Sequence, residues 1–319
     1  MAIPKNAPEA FLICFFERFP DMKKQLLAFS IVALSAGAVM AQAPDTLAKI
    51  KERGAVNLGV RDSSGLAFTL GGGKYVGFHT EMAERIVGDL AKDVGKPLTI
   101  NYQVITSQNR IPLIQNGTID FECGSTTNNK ARQKDVDFAY TTYVEEVRMA
   151  VNTKSGIKSI KDLNGKTVAT TTGTTSVQTL RKNERAEGID FKTVQGKDHA
   201  DSFLLLEAGR ADAFVMDGSI LAANIAKAKN PKDFAIVGEV LSVEPIACML
   251  PKGDAKLKKA IDDSIVRQIK DGSLAKLYDK WFMQPIPPNN VNLNMPASEG
   301  TKNAWAHPND KPMEDYGNK

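Results

Sequence analysis

The chain has 319 residues, of which 42% are apolar and 24% charged, and its formal net charge is +4 at pH 7. This composition is ordinary for a globular protein, and the length suffices for two compact units or one large one. The charge is small and its basic residues are interleaved with acids, so composition indicates a solvated surface and no nucleic-acid partner.

The first 41 residues predict a leader that is removed from the mature protein. Lys23 and Lys24 form a basic start, an apolar run follows, and small residues around Ala41 offer a cleavage site. We assign 22–41 to a secretory signal, and we expect that 1–21 result from a start codon placed too early. The apolar run is short for a membrane span, and no other segment is long enough to cross a bilayer.

Export sets the expected compartment and the state of the cysteines. Cys14 lies in the leader and lacks the small residues that precede a lipoprotein cleavage site, so we expect a soluble, unlipidated periplasmic protein. Cys123 and Cys248 remain, and an oxidising compartment favours a disulfide between them. Its loop of 125 residues (248 − 123) would be worth roughly 5 kcal/mol at most. Two buried free thiols are the alternative.

In chain order, the first half of the mature chain alternates strands with helices. Strands are predicted over 55–60, 98–105 and 119–123, helices over 79–95 and 109–117, and a hairpin turn over 70–77. The longer helix depends on the spacing of Met82, Ile86 and Leu90 and ends at a glycine.

The pattern restarts near residue 150. Strands are predicted over 166–170, 191–196 and 211–217, and helices over 176–188, 199–210 and 219–229. One long amphipathic helix over 255–282 and a proline-rich tail complete the chain. Strand and helix alternate twice, so we predict an α/β protein with two parallel-sheet lobes.

The stretch FECGSTTNNKARQKD, residues 121–135, places hydroxyl and amide side chains directly after a strand. Ser125 and Thr127 would stand before a helix-like run that carries Arg132. Free N–H groups at a helix start, with these hydroxyls, make an anion site, and an arginine can grip a carboxylate with two hydrogen bonds. The alternative is an ordinary N-cap followed by a surface arginine.

A second loop of the same kind occurs in the other half, at TTTGTTS, residues 170–176. It follows a strand, opens a helix and includes Thr174 and Thr175. No Gly-Lys-Ser/Thr follows it and no strand ends in GxGxxG, which argues against a phosphate loop or a dinucleotide. Two hydroxyl-rich loops, one in each half, indicate a small carboxylate held between the halves.

Several blocks carry a resemblance to a known family: TSQNRIPLIQNGTIDFECGSTTNN, RQK, GTTS, KDHADSF and PIACML, in that order. From about Asp45 to Pro288 the chain resembles the periplasmic glutamate/aspartate-binding proteins of ABC importers. The resemblance implies a type II periplasmic-binding-protein clamshell, in which two lobes, each a sheet flanked by helices, are joined by two hinge strands. It implies lobe 1 over 42–145 and 246–319, lobe 2 over 146–245, and crossovers near 143–148 and 243–246.

The resemblance also implies a set of ligand contacts. They are Arg132, Thr127, Thr174 and Thr175 for the ligand's α-carboxylate, Asp217 and Ser125 for its α-ammonium, and Arg61, Ser107, Arg110 and His199 for its side-chain carboxylate. Three arginines against one aspartate would leave a local excess of positive charge, which matches a ligand of net charge −1. Arg110 begins a helix, where the helix dipole disfavours a cation, and this favours a functional role.

From the residues alone, the other positions have plainer interpretations. Arg61 could form a surface ion pair with Asp62. Ser107 and Asp217 could be helix N-caps, and His199 could be a cap-region or core histidine.

The predicted function is capture of L-glutamate or L-aspartate by hinge closure, and delivery to an inner-membrane ABC permease, by a monomer without cofactor or metal. A ligand-sensing receptor component and a clamshell-fold dehydratase acting on a carboxylate are the alternatives. No GxSxG elbow, HExxH motif or cysteine/histidine cluster is present, so no enzyme is predicted. Glu122 could act as an acid catalyst, but strand alternation favours a charge on the other face of its strand.

Overall fold

The structure, a computed structural model, describes residues 45–316. The predicted signal and the residues ahead of it lie outside this part of the chain. Across residues 45–316, no helix is both long and apolar enough to cross a membrane.

Nine α-helices and twelve β-strands form within residues 45–316. The helices are α1 (Thr46–Arg53), α2 (Phe78–Val94), α3 (Arg110–Gln115), α4 (Thr175–Glu187), α5 (His199–Glu207), α6 (Gly218–Lys227), α7 (Ala255–Lys270), α8 (Ser273–Phe282) and α9 (Glu299–Ala306). The strands are β1 (Ala55–Val60), β2 (Phe68–Thr69), β3 (Tyr75–Val76), β4 (Thr99–Val104), β5 (Phe121–Glu122), β6 (Val136–Asn152), β7 (Thr167–Thr171), β8 (Lys192–Gly196), β9 (Ala213–Asp217), β10 (Phe234–Pro251), β11 (Pro285–Ile286) and β12 (Val291–Asn292).

Eight of these strands form one continuous sheet in the order β4-β1-β5-β10-β6-β9-β7-β8. β1 pairs in parallel with β4 and β5, and β7 pairs in parallel with β8 and β9. The expectation of parallel sheets holds for these two groups and is wrong at the centre. There β6 and β10 are antiparallel to each other, because one carries the chain from the first group to the second and the other carries it back.

Buried apolar side chains form four clusters, two at each end of the sheet. At the β1 end, the larger cluster packs α2, α7 and α8 against the sheet, with buried members over 50–143 and 246–286, and a smaller one lies beside α3. At the β7 end, the buried members of both clusters lie between Val147 and Ala228. Apolar burial therefore stabilises each end separately, while β6 and β10 run between them.

The single helix predicted over 255–282 is in fact two helices, α7 and α8. Gly272 lies between them with φ +74°, in the left-handed region that glycine adopts at little cost. The turn lets Ile261 of α7 and Phe282 of α8 reach the same core cluster. The apolar pattern continues across the turn, and for this reason the sequence predicted one helix.

The loop after β5 is less helical than predicted. The strand predicted over 119–123 is shorter in the structure and consists of the two residues of β5. The helix-like run at Arg132 is only a short 3-10 helix, Arg132–Lys134. The preceding backbone is extended instead, since Thr127 forms an antiparallel bridge with Ile246 of β10. Backbone pairing with β10 thus fixes the conformation of this loop.

The predicted disulfide between Cys123 and Cys248 is present, so the alternative of two free thiols is wrong. Cys123 directly follows β5 and Cys248 lies within β10, and both are buried. The bond therefore attaches the start of the hydroxyl-rich loop to the long central strand.

Candidate functional site

A small cavity lies where strand ends meet helix starts. β9 ends at it, and α3, α4 and α5 begin at it. Eight of the ten predicted ligand-binding residues line the cavity together with Met216, and these eight are Ser107, Arg110, Ser125, Thr127, Thr174, Thr175, His199 and Asp217. The lining side chains lie close to one another and leave almost no free space between them. Helix N-termini and a carboxyl strand end at one point form a concentrated set of N–H and hydroxyl donors.

Arg110 is the most enclosed cation of the cavity. It is the first residue of α3 and only 1% exposed, and burial lowers its pKa. Its Nη1 donates to the carbonyl of Ser125 at 3.2 Å and to Oγ1 of Thr126 at 2.7 Å. Its Nε has no hydrogen-bond partner among residues 45–316. Part of the donor capacity of this guanidinium is therefore open to a ligand.

Arg61 lies at the end of β1, beside the cavity, and is fully buried. The interpretation of Arg61 as the partner of Asp62 in a surface ion pair is wrong. Nη2 of Arg61 donates instead to Oδ1 of Asp198 at 2.8 Å, and Nη1 donates to Oγ of Ser107 at 3.2 Å. Ser63 adds a hydrogen bond to the other oxygen of Asp198 at 2.6 Å. Asp198 is thus a site residue that sequence reasoning missed, although it precedes His199 in a block that signalled the family.

Arg132 is partly exposed and lies at the mouth of the cavity. Its Nη1 donates to the carbonyl of Thr127 at 2.8 Å, and its Nη2 donates to the carbonyl of Gly173 at 3.4 Å. Arg132 also lines an outer groove next to the cavity, together with Thr174 and Thr175. It therefore joins the two hydroxyl-rich loops to each other.

The two loops also converge on one buried carboxylate, that of Glu244 in β10. Thr127 and Thr175 donate to the same oxygen of Glu244, at 2.5 and 2.7 Å, and Ser242 donates to the other at 2.9 Å. Glu244 is fully buried. The two threonine hydroxyls thus hold a carboxylate of the protein itself, and the sequence did not identify Glu244. Its place within the predicted crossover at 243–246 was the available signal.

The proposed capping roles do not occur. Asn109 is the N-cap residue of α3, so Ser107 does not cap that helix. Asp217 stands at the N-cap position of α6 but makes no side-chain capping bond. One of its carboxylate oxygens has no hydrogen-bond partner among residues 45–316. Burial raises the pKa of Asp217 well above its usual value, and the nearby charges of Glu145 and Glu244 raise it further.

His199 is buried at the start of α5. Its Nδ1 lies 3.1 Å from Oγ1 of Thr171, while its Nε2 has no partner among the described residues. Burial lowers its pKa well below the usual value, and the charge of Arg61 lowers it further. The imidazole is therefore neutral at pH 7 and offers the cavity a hydrogen bond rather than a charge.

Glu122 is fully buried, and it lies on the face of its strand opposite to Phe121 and Cys123, which share one core cluster, as strand alternation predicted. It accepts a hydrogen bond from Oγ1 of Thr126, the atom that also receives Nη1 of Arg110. Burial raises the pKa of Glu122, although the charge of Arg110 opposes this. Glu122 and Arg110 are therefore linked through the hydroxyl of Thr126.

Buried acids that the sequence did not identify add to the predicted balance of three arginines against Asp217. Glu145, in β6, is a further buried carboxylate, and burial raises its pKa to about 7. The charged side chains described so far in and around the cavity are Arg61, Arg110, Arg132, Glu122, Glu145, Asp198, Asp217 and Glu244. Five acids face three arginines, so some acids must hold protons or meet a cation. No group of three or more histidines, cysteines or acids placed to hold a metal ion occurs within residues 45–316.

Comparisons with known proteins agree on one family. The model of the bacterial extracellular solute-binding proteins, family 3, matches residues 56–284. The chain is 44% identical over 295 residues to the L-glutamate/L-aspartate-binding protein of Pseudomonas aeruginosa, covering 91% of this chain and 97% of that protein. It is 42% identical over 302 residues to the glutamate/aspartate import solute-binding protein of Escherichia coli, covering 92% and 99%.

More distant similarities extend to proteins with other ligands in their names. The ABC transporter glutamine-binding protein of Bacillus subtilis is 31% identical over 245 residues, covering 75% of this chain and 85% of that protein. An ancestral arginine-binding protein bound to arginine matches with a TM-score of 0.64 at 31% identity, covering 72% of this chain and 99% of that one. The cysteine-binding protein of Campylobacter jejuni matches with a TM-score of 0.67 at 25% identity, covering 79% and 98%.

Proposed function

Since this chain belongs to family 3 of the bacterial extracellular solute-binding proteins, we propose that it captures L-glutamate or L-aspartate and delivers the amino acid to an ABC permease. Its fold is that of the type II periplasmic binding proteins. The relatives at 42% and 44% identity are solute-binding proteins and not enzymes, so the dehydratase alternative is not supported. The observation that carries the proposal is one small cavity with the buried guanidinium of Arg110 and the buried carboxylate of Asp217 in its wall and Arg61 beside it.

The ligand's side-chain carboxylate would meet Arg110 and Arg61. Burying a carboxylate requires charged partners already in place, and two buried guanidinium groups at one end of the cavity supply them. Ser107 and neutral His199 would complete this end as hydrogen-bond partners. A neutral amide in the same position would give the open donors of Arg110 a weaker, uncharged acceptor.

The α-ammonium group would meet Asp217, with Ser125 beside it. The free oxygen of Asp217 is an acceptor in need of a donor, and its raised pKa means that it holds a proton when no cation is near. An ammonium group can replace that proton and neutralise the carboxylate. The α-carboxylate would meet the two loops at Thr127, Thr174 and Thr175, with Arg132 at the mouth. The hydroxyls of Thr127 and Thr175 would then exchange Glu244 for the ligand as their acceptor.

Capture would proceed by closure of two lobes, lobe 1 over 42–145 and 246–319 and lobe 2 over 146–245. The separate apolar clusters at the two ends of the sheet support this division, as does the passage of only β6 and β10 between the parallel groups. A ligand that contacts both lobes stabilises the closed form by contacts that the open form lacks.

We further propose that the protein acts as a monomer in the periplasm, after removal of the signal at 22–41. Relatives named for glutamate/aspartate import support the route, and recognition by the permease would follow closure.

Calorimetry on ligand-stripped protein tests the specificity. Glutamate and aspartate should bind, and glutamine should bind about 100-fold more weakly or worse, because Arg61 and Arg110 would face a neutral amide. L-Arginine serves as a cationic control and should not bind measurably. Glutamine binding as tight as glutamate binding would contradict the proposal.

A further inference from the structure

The C-terminal end of the chain lies against the candidate site. The family model ends at residue 284, so everything after it is additional to the matched region. We name residues 309–316 the C-terminal strap. It follows α9 and runs beside the hydroxyl-rich loop that contains Thr127.

The C-terminal strap holds Asn128, the loop residue next to Thr127, through two hydrogen bonds. Met313 N donates to the carbonyl of Asn128 at 2.8 Å, and Nδ2 of Asn128 donates to the carbonyl of Asp310 at 2.8 Å. On its opposite side, Asn128 N donates to the carbonyl of Pro245 in β10 at 2.9 Å. Asn128 is fully buried. Its backbone is therefore fixed between a central strand and the C-terminal strap.

Further contacts place the C-terminal strap along the same loop and along β6. The backbone N–H of Lys130 donates to the carboxylate of Glu314 at 3.0 Å, and the Thr141 N–H donates to the carbonyl of Asn309 at 2.9 Å. The ion pair between Lys130 and Asp315 is exposed and adds little.

The loop held in this way carries two of the predicted ligand donors. The hydroxyl of Thr127 lines the cavity, and the carbonyl of Thr127 receives Nη1 of Arg132. A displacement of Asn128 would move both groups, because Thr127 is its direct neighbour in the chain. Loops that must be ordered on binding lower affinity by the entropy of ordering them.

We propose that the C-terminal strap is a positioning segment for ligand capture, which keeps Thr127 and Arg132 in their binding geometry through Asn128. This inference rests on the proposed function, since it concerns the same site. It predicts that affinity for the ligand depends on hydrogen bonds between Asn128 and residues that lie more than 180 positions later in the chain.

Met313→Pro removes the N–H of the C-terminal strap that donates to the carbonyl of Asn128. Met313 begins a short 3-10 helix after Pro312, whose extended ψ of 161° suits a following proline, so the backbone accepts the change. Met313→Ala is the matched control, because it truncates the side chain and keeps the N–H. A chain ending at Pro308 removes the C-terminal strap without inserting a proline.

Calorimetric titration of the ligand-stripped mature chain with L-glutamate gives the decisive comparison. Met313→Pro and the chain ending at Pro308 should raise Kd by about three- to tenfold relative to Met313→Ala, the effect of one or two lost hydrogen bonds. A segment that only stabilised the fold would lower the thermal midpoint and leave Kd unchanged. A Kd for both variants within twofold of the control overturns the inference, whatever happens to the midpoint. Failure of the parent to bind glutamate would overturn the proposed function, and this inference with it.

Discussion

Arg61 and Asp198 form an ion pair that joins the end of β1 to the start of α5, with Nη2 of Arg61 2.8 Å from Oδ1 of Asp198. The two residues are 137 positions apart, and Arg61 is fully buried. Partial burial raises the pKa of Asp198, but the charge of Arg61 lowers it below the usual value overall. The pair therefore connects the two proposed lobes before any ligand is considered.

Asp198→Asn should lower the free energy of unfolding of the ligand-free protein by about 1.5–3 kcal/mol, the value of a hydrogen bond between charged groups. X-ray scattering should also show a larger radius for the ligand-free variant, which glutamate reduces. Asp201→Asn, in the same turn of α5 but without a charged partner within residues 45–316, is the control. Equal stability of the two variants in urea would contradict the role of the pair.

Arg110→Ala should raise the Kd for glutamate about 30-fold or more, because a buried charge of the ligand would lose its partner. Ser125→Ala should raise it about tenfold or less, since it removes one neutral hydrogen-bonding group. Arg110→Lys keeps the charge without the planar fork and should lie between them. Calorimetry measures all three, and an equal effect of the alanine variants would exclude Arg110 as the main carboxylate partner.

Gly65→Ala should impair closure. A Cβ at Gly65 would lie 2.3 Å from the carbonyl oxygen of Ser219, and this contact joins the two proposed lobes. Overpacking of this kind costs about 1–3 kcal/mol, so Kd for glutamate should rise about tenfold. Because the Arg61–Asp198 pair also belongs to the closed arrangement, the ligand-free variant should show a larger radius by X-ray scattering than the parent. Gly88→Ala in α2, where a Cβ meets nothing within 4 Å, is the control and should bind like the parent.

Glu145 should make the ligand-free protein less stable as pH rises. Burial raises its pKa in the folded state from 4.5 to about 7, so the folded protein keeps a proton that the unfolded chain releases. This contribution is complete below about pH 4.5 and is lost between about pH 4.5 and 7, by roughly 3 kcal/mol in total.

Glu145→Gln imitates the protonated acid and should flatten this loss. Asp217 titrates in the same direction, so some slope will remain. Urea unfolding at pH 5, 6, 7 and 8 gives the comparison. A parent and variant with the same pH dependence would show that Glu145 is ionised throughout.

The disulfide should account for a substantial part of the stability. Cys123→Ser with Cys248→Ser opens a loop of 125 residues and should cost about 2–5 kcal/mol. Urea unfolding of the double variant measures the loss, and the parent treated with reductant should match it. If the parent and the double variant unfold at the same urea concentration, the bond contributes nothing to stability.

Local sequence pattern predicted most elements well. The bounds of β1 were correct, and α2, α3 and the β2–β3 hairpin formed where apolar spacing and glycines indicated. The errors occurred where neighbours far along the chain decide the conformation. The loop before Arg132 is extended because β10 pairs with it, and the long C-terminal helix breaks at Gly272 because both of its parts must reach one core.

For the site, the sequence predicted the hydrogen-bond donors but not the buried carboxylates that accept from them. The arginines and hydroxyl-rich loops were predicted, because strand ends that run into helix starts are visible in the sequence. The buried acids Glu122, Asp198 and Glu244 were not, because a carboxylate in a sequence is most often a solvated surface group.

The sequence by itself determined the alternation of strands and helices, the family resemblance and the donors that could meet a dicarboxylic amino acid. These depend on neighbours within about ten residues, which the chain order already contains. Only the tertiary structure decided which acids face those donors, that β6 and β10 are antiparallel, and that the C-terminal strap reaches Asn128. The pairings of Arg61 with Asp198, Thr127 with Glu244 and Asn128 with Asp310 join residues separated by more than 100 positions. Burial, which no local pattern specifies, sets the charge states of the acids.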